Sequence, residues 1–194
     1  MRLHTEGDSM SLFGREKFIP REKFEAIIHK LAKSLGASRE EYILGSLTQL
    51  KREGVDVSNV PREISSGSEL EDALKGFELT CIMGIAWNYI KSIEDQLSFD
   101  NALCAHINAE KGSRAWNFRE RYTDCQGNMD ALATALSIDV YKSIGSPRPE
   151  NEYKDQFNGR AYFLVGICQA DTYSACGDTK MEKKVRAKIK MYLK

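Results

Sequence analysis

An all-α fold, an irregular bundle of about six to eight helices, is what this sequence predicts, on three observations. Apolar residues recur at i, i+3, i+4 and i+7 in at least five segments. Three capping-box pairs, Ser38–Glu41, Ser68–Glu71 and Thr179–Glu182, stand at the heads of such segments. Of the four prolines, Pro61, Pro147 and Pro149 fall between patterned stretches, where a helix breaker does no harm.

Residues 1–18 show no sustained period and read as a flexible N-terminal arm, with Phe13 and Phe18 as anchors. A single helical domain then covers 19–194. It begins with a helical hairpin over 20–54. Pro20 opens its first helix, with the stripe Phe24, Ile27, Ile28, Leu31 and Leu35, and Gly36 ends it. Ser38 caps its second helix, carrying Tyr42, Ile43, Leu47 and Leu50, and Gly54 closes that one.

A loop from Val55 to Gly67, containing Pro61, leads to the main bundle, 68–177. Ser68 opens a long helix toward Leu97, apolar over so wide an arc that it should be central. Gly76 and Gly84 inside it permit a close neighbour or a break. Asp100 is the expected cap of a short helix ending before Gly112, and Ser113 opens the next. Met129, Leu132, Leu136, Val140 and Ile144 mark a second central helix, ended by Gly145 and Pro147. The apolar run Ala161 to Cys168 suits a buried helix or strand; a lone strand would have no partner, so a helix is expected. Thr179 then opens a basic C-terminal helix, 179–194, with Met181, Val185, Ile189 and Tyr192 on one side.

At 194 residues the chain can bury a real core, and 42% hydrophobic with 29% charged residues argues against wholesale disorder. Lys+Arg and Asp+Glu both total 28, which disfavours nucleic acid as a partner. The balance hides an asymmetry. Residues 180–194 carry seven basic residues against one acid, which leaves the rest of the chain equally acidic. No apolar run approaches the length of a membrane span and the N-terminus lacks an apolar signal, so the expected location is the cytoplasm. Five widely spaced cysteines without a CxxC pair read as reduced, inert thiols there.

The candidates for chemistry are few. His106 and Glu110, four apart, would share a helix face; with no further donor converging they make no metal site, and no cofactor motif is present. Cys125 follows Thr123 and Asp124, two capping residue types. In the first turn of a helix its thiolate would be favoured, with His106 as the candidate base. The segment Ser113 to Tyr122 interleaves arginines with aromatics, so Trp116, Arg119 and Arg121 are candidate binding residues; the default explanation of the segment is an amphipathic helix with an aromatic core face. Lys183, Lys184 and Lys188 on the basic helix are the other binding candidates, unless that helix simply docks on the acidic body.

Asp124-Cys125, Ala131, Leu132, Ala135 and Leu136, followed by Gly145 and Pro147, resemble the nucleophile helix of transglutaminase-like cysteine enzymes. Gly159-Arg160-Ala161-Tyr162-Phe163 is similar to that family's histidine strand, with Arg160 where the histidine belongs. No histidine follows Cys125, so the resemblance implies an inactive relative.

The expected function is therefore that of a non-enzymatic interaction or regulatory protein acting through helix surfaces, toward a protein partner or a second copy of the chain. Two alternatives stay open: a cysteine-dependent enzyme, or inactive relative of one, centred on Cys125, and a bundle that holds an apolar ligand in its core. Nucleic acid has one route to this chain, the basic C-terminal helix.

Overall fold

The computed structural model describes residues 18–58, 60, 68–125, 127–147 and 158–192, with backbone alone at 158 and 192. The N-terminal arm up to residue 17, with His4 and Phe13, lies outside the described residues, as do Pro61, Pro149 and the Tyr192 side chain. The fold is all-helical: α1 (Phe24–Arg52), α2 (Glu69–Ala86), α3 (Ile93–His106), α4 (Arg114–Thr123), α5 (Met129–Ser143), α6 (Asn158–Ala175) and α7 (Thr179–Tyr192), with short 3₁₀ turns at Arg21–Lys23 and Trp87–Tyr89. Among the described residues there is no strand, and no helix is long and apolar enough to cross a membrane.

The expected hairpin over 20–54 is instead one continuous 29-residue helix. Leu35 and Tyr42 are seven residues apart, so the two stripes stay in phase across Gly36 and one face is buried from Phe24 to Leu50. That gain outweighs the roughly 1 kcal/mol a mid-helix glycine costs. Ser38 does not cap; its hydroxyl donates back to the Ser34 carbonyl at 3.3 Å. Arg39 fixes the middle of α1 to α2, its guanidinium gripping both Glu78 oxygens at 2.8 and 2.6 Å. Burial pushes the Glu78 carboxyl up while Arg39 pulls it down.

Ser68 caps α2 as expected, accepting from the Glu71 amide at 3.1 Å. The helix is central, buried almost all round and packed on α4, α5 and α6. It stops at Ala86, well short of Leu97. Ile90 is extended (φ −117°, ψ 122°), the Tyr89 carbonyl accepts the Ile19 amide at 2.7 Å, and Ser92 caps a new helix through the Asp95 amide. Ile93 and Leu97, which fall within the long helix that the sequence predicts, are consequently exposed. Asp100 lies inside α3, not at its head, and accepts the Trp87 indole N–H at 2.9 Å.

Ser113 caps α4 as expected. Gly145 follows α5 in the left-handed region (φ 74°), a conformation that terminates helices at low cost only for glycine. The stretch from Ala161 to Cys168 is helical, part of α6. At α7 the N-cap is Asp178, which accepts the Met181 amide at 2.9 Å, while Glu182 pairs with Arg186 at 3.0 Å. One core cluster links residues from α1 through α6, with Phe24 edge-on to Phe99 (5.3 Å) and Phe77 edge-on to Tyr122 (5.8 Å).

A candidate ligand cleft beside Arg119

The geometry that matters is set along α2. At Gly76 the helix touches α4 so closely that a β-carbon there would lie 2.6 Å from the Ala115 carbonyl oxygen and the Arg119 nitrogen. One turn on, the Thr80 hydroxyl reaches the Arg119 carbonyl at 3.0 Å. A further turn on, the β-carbon position of Gly84 meets nothing within 4 Å. Contact at one glycine and open space at the next leave a cleft of about 480 Å³ between α2, α4, the start of α5 and α6. Such a volume is typical of small-molecule sites.

Its lining joins buried Met83, Ile85 and Leu132 and the rings of Trp87 and Tyr173 with the polar Thr80, Asn88 and Thr123. Gln169 lies in it with only 9% of its surface exposed. Among the described residues the Gln169 amide N–H finds the Gly127 carbonyl, at 3.5 Å, the outer limit of a hydrogen bond.

Arg119 is the single charged side chain of the lining among the described residues. Its guanidinium lies over the Trp116 ring, 4.4 Å from the centroid, and its Nε donates to the Met83 sulfur at 3.3 Å. Among the described residues no carboxylate stands within ion-pair distance of it. Asp100, whose carboxyl feels Arg119, is already held by Trp87 and pushed up by burial. The aromatic contact and the sulfur thus fix a cation in place without neutralising it.

The other predicted residues lie elsewhere. Trp116 is half-buried beneath Arg119, its indole N–H donating to Glu120 at 3.2 Å. Arg121 reaches Asp139 at 2.5 Å, capping a fully buried carboxylate beside Tyr122. Lys183, Lys184 and Lys188 stand exposed on α7, whose Val185 and Ile189 are buried against α6 with Met181 half-buried. Arg186 links α7 to Asp171 at 2.7 Å, and Asp171 in turn accepts the Ser34 hydroxyl of α1.

Cys125 is not at a helix N-terminus. It follows the last turn of α4, its amide donating to the Tyr122 carbonyl, and so sits at the negative end of the dipole, where a thiolate is disfavoured. Burial, then Asp124, Cys81 and Asp139, push its thiol up. His106 ends α3 and meets the edge of His29, with ring centroids 5.8 Å apart. Glu110 lies beyond the helix end, so the pair shares no helix face. Gly159 to Phe163, likened above to a histidine strand, is the first turn of α6; there the Arg160 guanidinium lies against Gly45 of α1, filling the place of a side chain. No set of three metal-ligating side chains converges among the described residues.

Of the sequence candidates, the structure places Arg119 in this lining and Trp116 against it; not among those candidates are Met83 and Gln169. Neither carries a local signal, since both read as ordinary positions on core helices. Gly84 was the visible trace of the opening. In comparison with known proteins, no family model, no curated protein and no solved structure matches this chain.

Proposed function

We propose that this chain is a non-enzymatic binding protein that acts through a helix surface, and that its recognition site is the cleft beside Arg119. What supports this is one observation: a guanidinium held by Trp116 and Met83, facing a cleft of about 480 Å³, with no acidic partner among the described residues. Organising a cation in advance lowers the entropy lost on binding, and a concave, mostly apolar lining supplies the contact area. Cys125, at the negative end of α4 with its thiol pushed up, favours a structural role over a nucleophile.

An NMR titration of the isotope-labelled chain with a small-fragment library tests this. Hits should gather on amides of Met83, Gly84, Thr123 and Gln169. Shifts that map instead to the exposed lysines of α7, or to no common surface, would overturn the assignment.

A further inference from the structure

Resting on that reading, we infer that the cleft takes an amphipathic monocarboxylate, its carboxylate on the Arg119 guanidinium and its apolar body along Trp87, Tyr173 and the open face at Gly84. The charge comes first. Among the described lining residues Arg119 is the sole charged side chain; Asp100, the acid that feels it, lies outside the lining with its carboxyl engaged by the Trp87 indole, so the cleft presents one positive charge to an occupant and complements one negative one. Its Nε is spent on Met83 and its ring-like face on Trp116, and no acceptor among the described residues engages its two terminal nitrogens. Those nitrogens form the fork that grips a carboxylate through two parallel hydrogen bonds. A phosphate monoester carries nearly two charges at neutral pH and is ordinarily held by several donors. With Asn128 already capping the nearby α5 N-terminus through the Asp130 and Ala131 amides, a single guanidinium suits the monoanion.

The apolar part follows from the rest of the lining. Trp87, 41% exposed, and the partly exposed Tyr173 present open ring surface in the same space, over the buried Met83, Ile85 and Leu132. An occupant with no apolar body would leave that surface wet, and covering it gains roughly 25 cal/mol per Å². Gln169, nine-tenths buried with only a 3.5 Å protein contact, offers one further amide to a polar substituent.

The test uses the full chain with octanoate, octanol and inorganic phosphate as probes, followed by calorimetry and NMR. Octanoate should bind saturably with shifts at the cleft, octanol at least about tenfold more weakly, and phosphate alone should not displace octanoate. Arg119→Gln should weaken octanoate about ten- to hundredfold, the loss of a charge-assisted pair. Gly84→Leu places a side chain in space that is open now and should abolish binding while leaving the fold intact. This second variant keeps the test decisive if Arg119→Gln is unstable. Octanol binding as tightly as octanoate, octanoate binding unchanged in Arg119→Gln, or displacement by phosphate would overturn the monocarboxylate while leaving the cleft a binding site. Octanoate binding undiminished in Gly84→Leu, or no probe shifting any cleft amide, would overturn the cleft itself.

Discussion

Ile189 occupies the space that a side chain on Gly166 would need: a β-carbon built there lies 2.3 Å from Ile189 Cγ1. The C-terminal helix is thus seated in a notch of α6, with Val185 and Ile189 buried and Arg186 tied to Asp171. Its lysines face outward while its apolar side docks on the body.

Ile189→Ala should therefore cost about 2–5 kcal/mol, as other buried large-to-small changes do. Removing the chain after Gly177 should cost more, since it strips Ala170 and the half-buried Phe163, Ile167 and Tyr173 of their cover. Denaturant midpoints measure both. A truncated chain with an unchanged midpoint would mean that α7 is not part of the folded unit.

Gly76→Ala should destabilise by about 1–3 kcal/mol, the usual cost of overpacking. Alanine normally gains about 1 kcal/mol over glycine inside a helix, so the sign itself is informative. The obstacle is backbone: the Ala115 carbonyl oxygen and Arg119 nitrogen at 2.6 Å cannot rotate away as a side chain would. Because the same contact positions Arg119, the variant should also weaken ligand binding. Thermal melts that show stabilisation would place α2 and α4 further apart than described.

The parts of this fold legible in the sequence were those set by local chemistry. Ser68 and Ser113 cap where their spacing says, Gly54 and Gly145 follow helix ends, and the apolar run at 161–168 is helical. The errors arose where local and tertiary signals conflict. Gly36 and Ser38 look like a stop and a start, but the in-phase Leu35 and Tyr42 bury one common face against α3 and α6. The Ile93–Leu97 pair continues the α2 period, yet Ser92 caps a separate helix and leaves both exposed. The cleft was invisible for another reason. Arg119 stands out in sequence by its aromatic neighbours alone; only packing brings it to Met83, 36 residues away, and leaves Gln169 beside the same space.

Asp178 should carry a measurable part of the acid sensitivity. The Tyr89 hydroxyl donates to it at 2.5 Å and the Met181 amide at 2.9 Å, and these hold its carboxyl below the usual carboxylate range. A carboxyl depressed in the folded state adds stability that is complete above its unfolded value of about 3.9 and is lost as pH falls through the folded value. Asp178→Ala should then cost about 0.5–2 kcal/mol near neutrality, the usual worth of an N-cap, with the gap to wild type closing in acid. Tyr89→Phe should show the same convergence with a smaller gap. Urea titrations across pH 2–7 decide it, and a gap that persists unchanged at the acid end would remove Asp178 as its source.

The last prediction concerns Cys125, which the sequence offers only as the centre of an alternative reading. A nucleophilic thiol needs a lowered pKa, from a helix N-terminus, a cation or a neighbouring base. Here the thiol follows the C-terminal turn of α4, with Asp124, Cys81 and Asp139 and its own partial burial all pushing it up. His106 is engaged with His29, edge to face. Cys125 should accordingly alkylate with an apparent pKa above the free-thiol value of about 8.5, at a rate indifferent to His106→Ala. Exposure rather than activation should set the order of labelling. Cys104 and Cys125, both partly exposed, should react before Cys81, Cys168 and Cys176, which are buried, the last pushed up to about 12. Iodoacetamide labelling against pH, read by peptide mass, measures all five thiols at once. A Cys125 that labels fast at neutral pH and slows in His106→Ala would restore the nucleophile and displace the binding-protein reading.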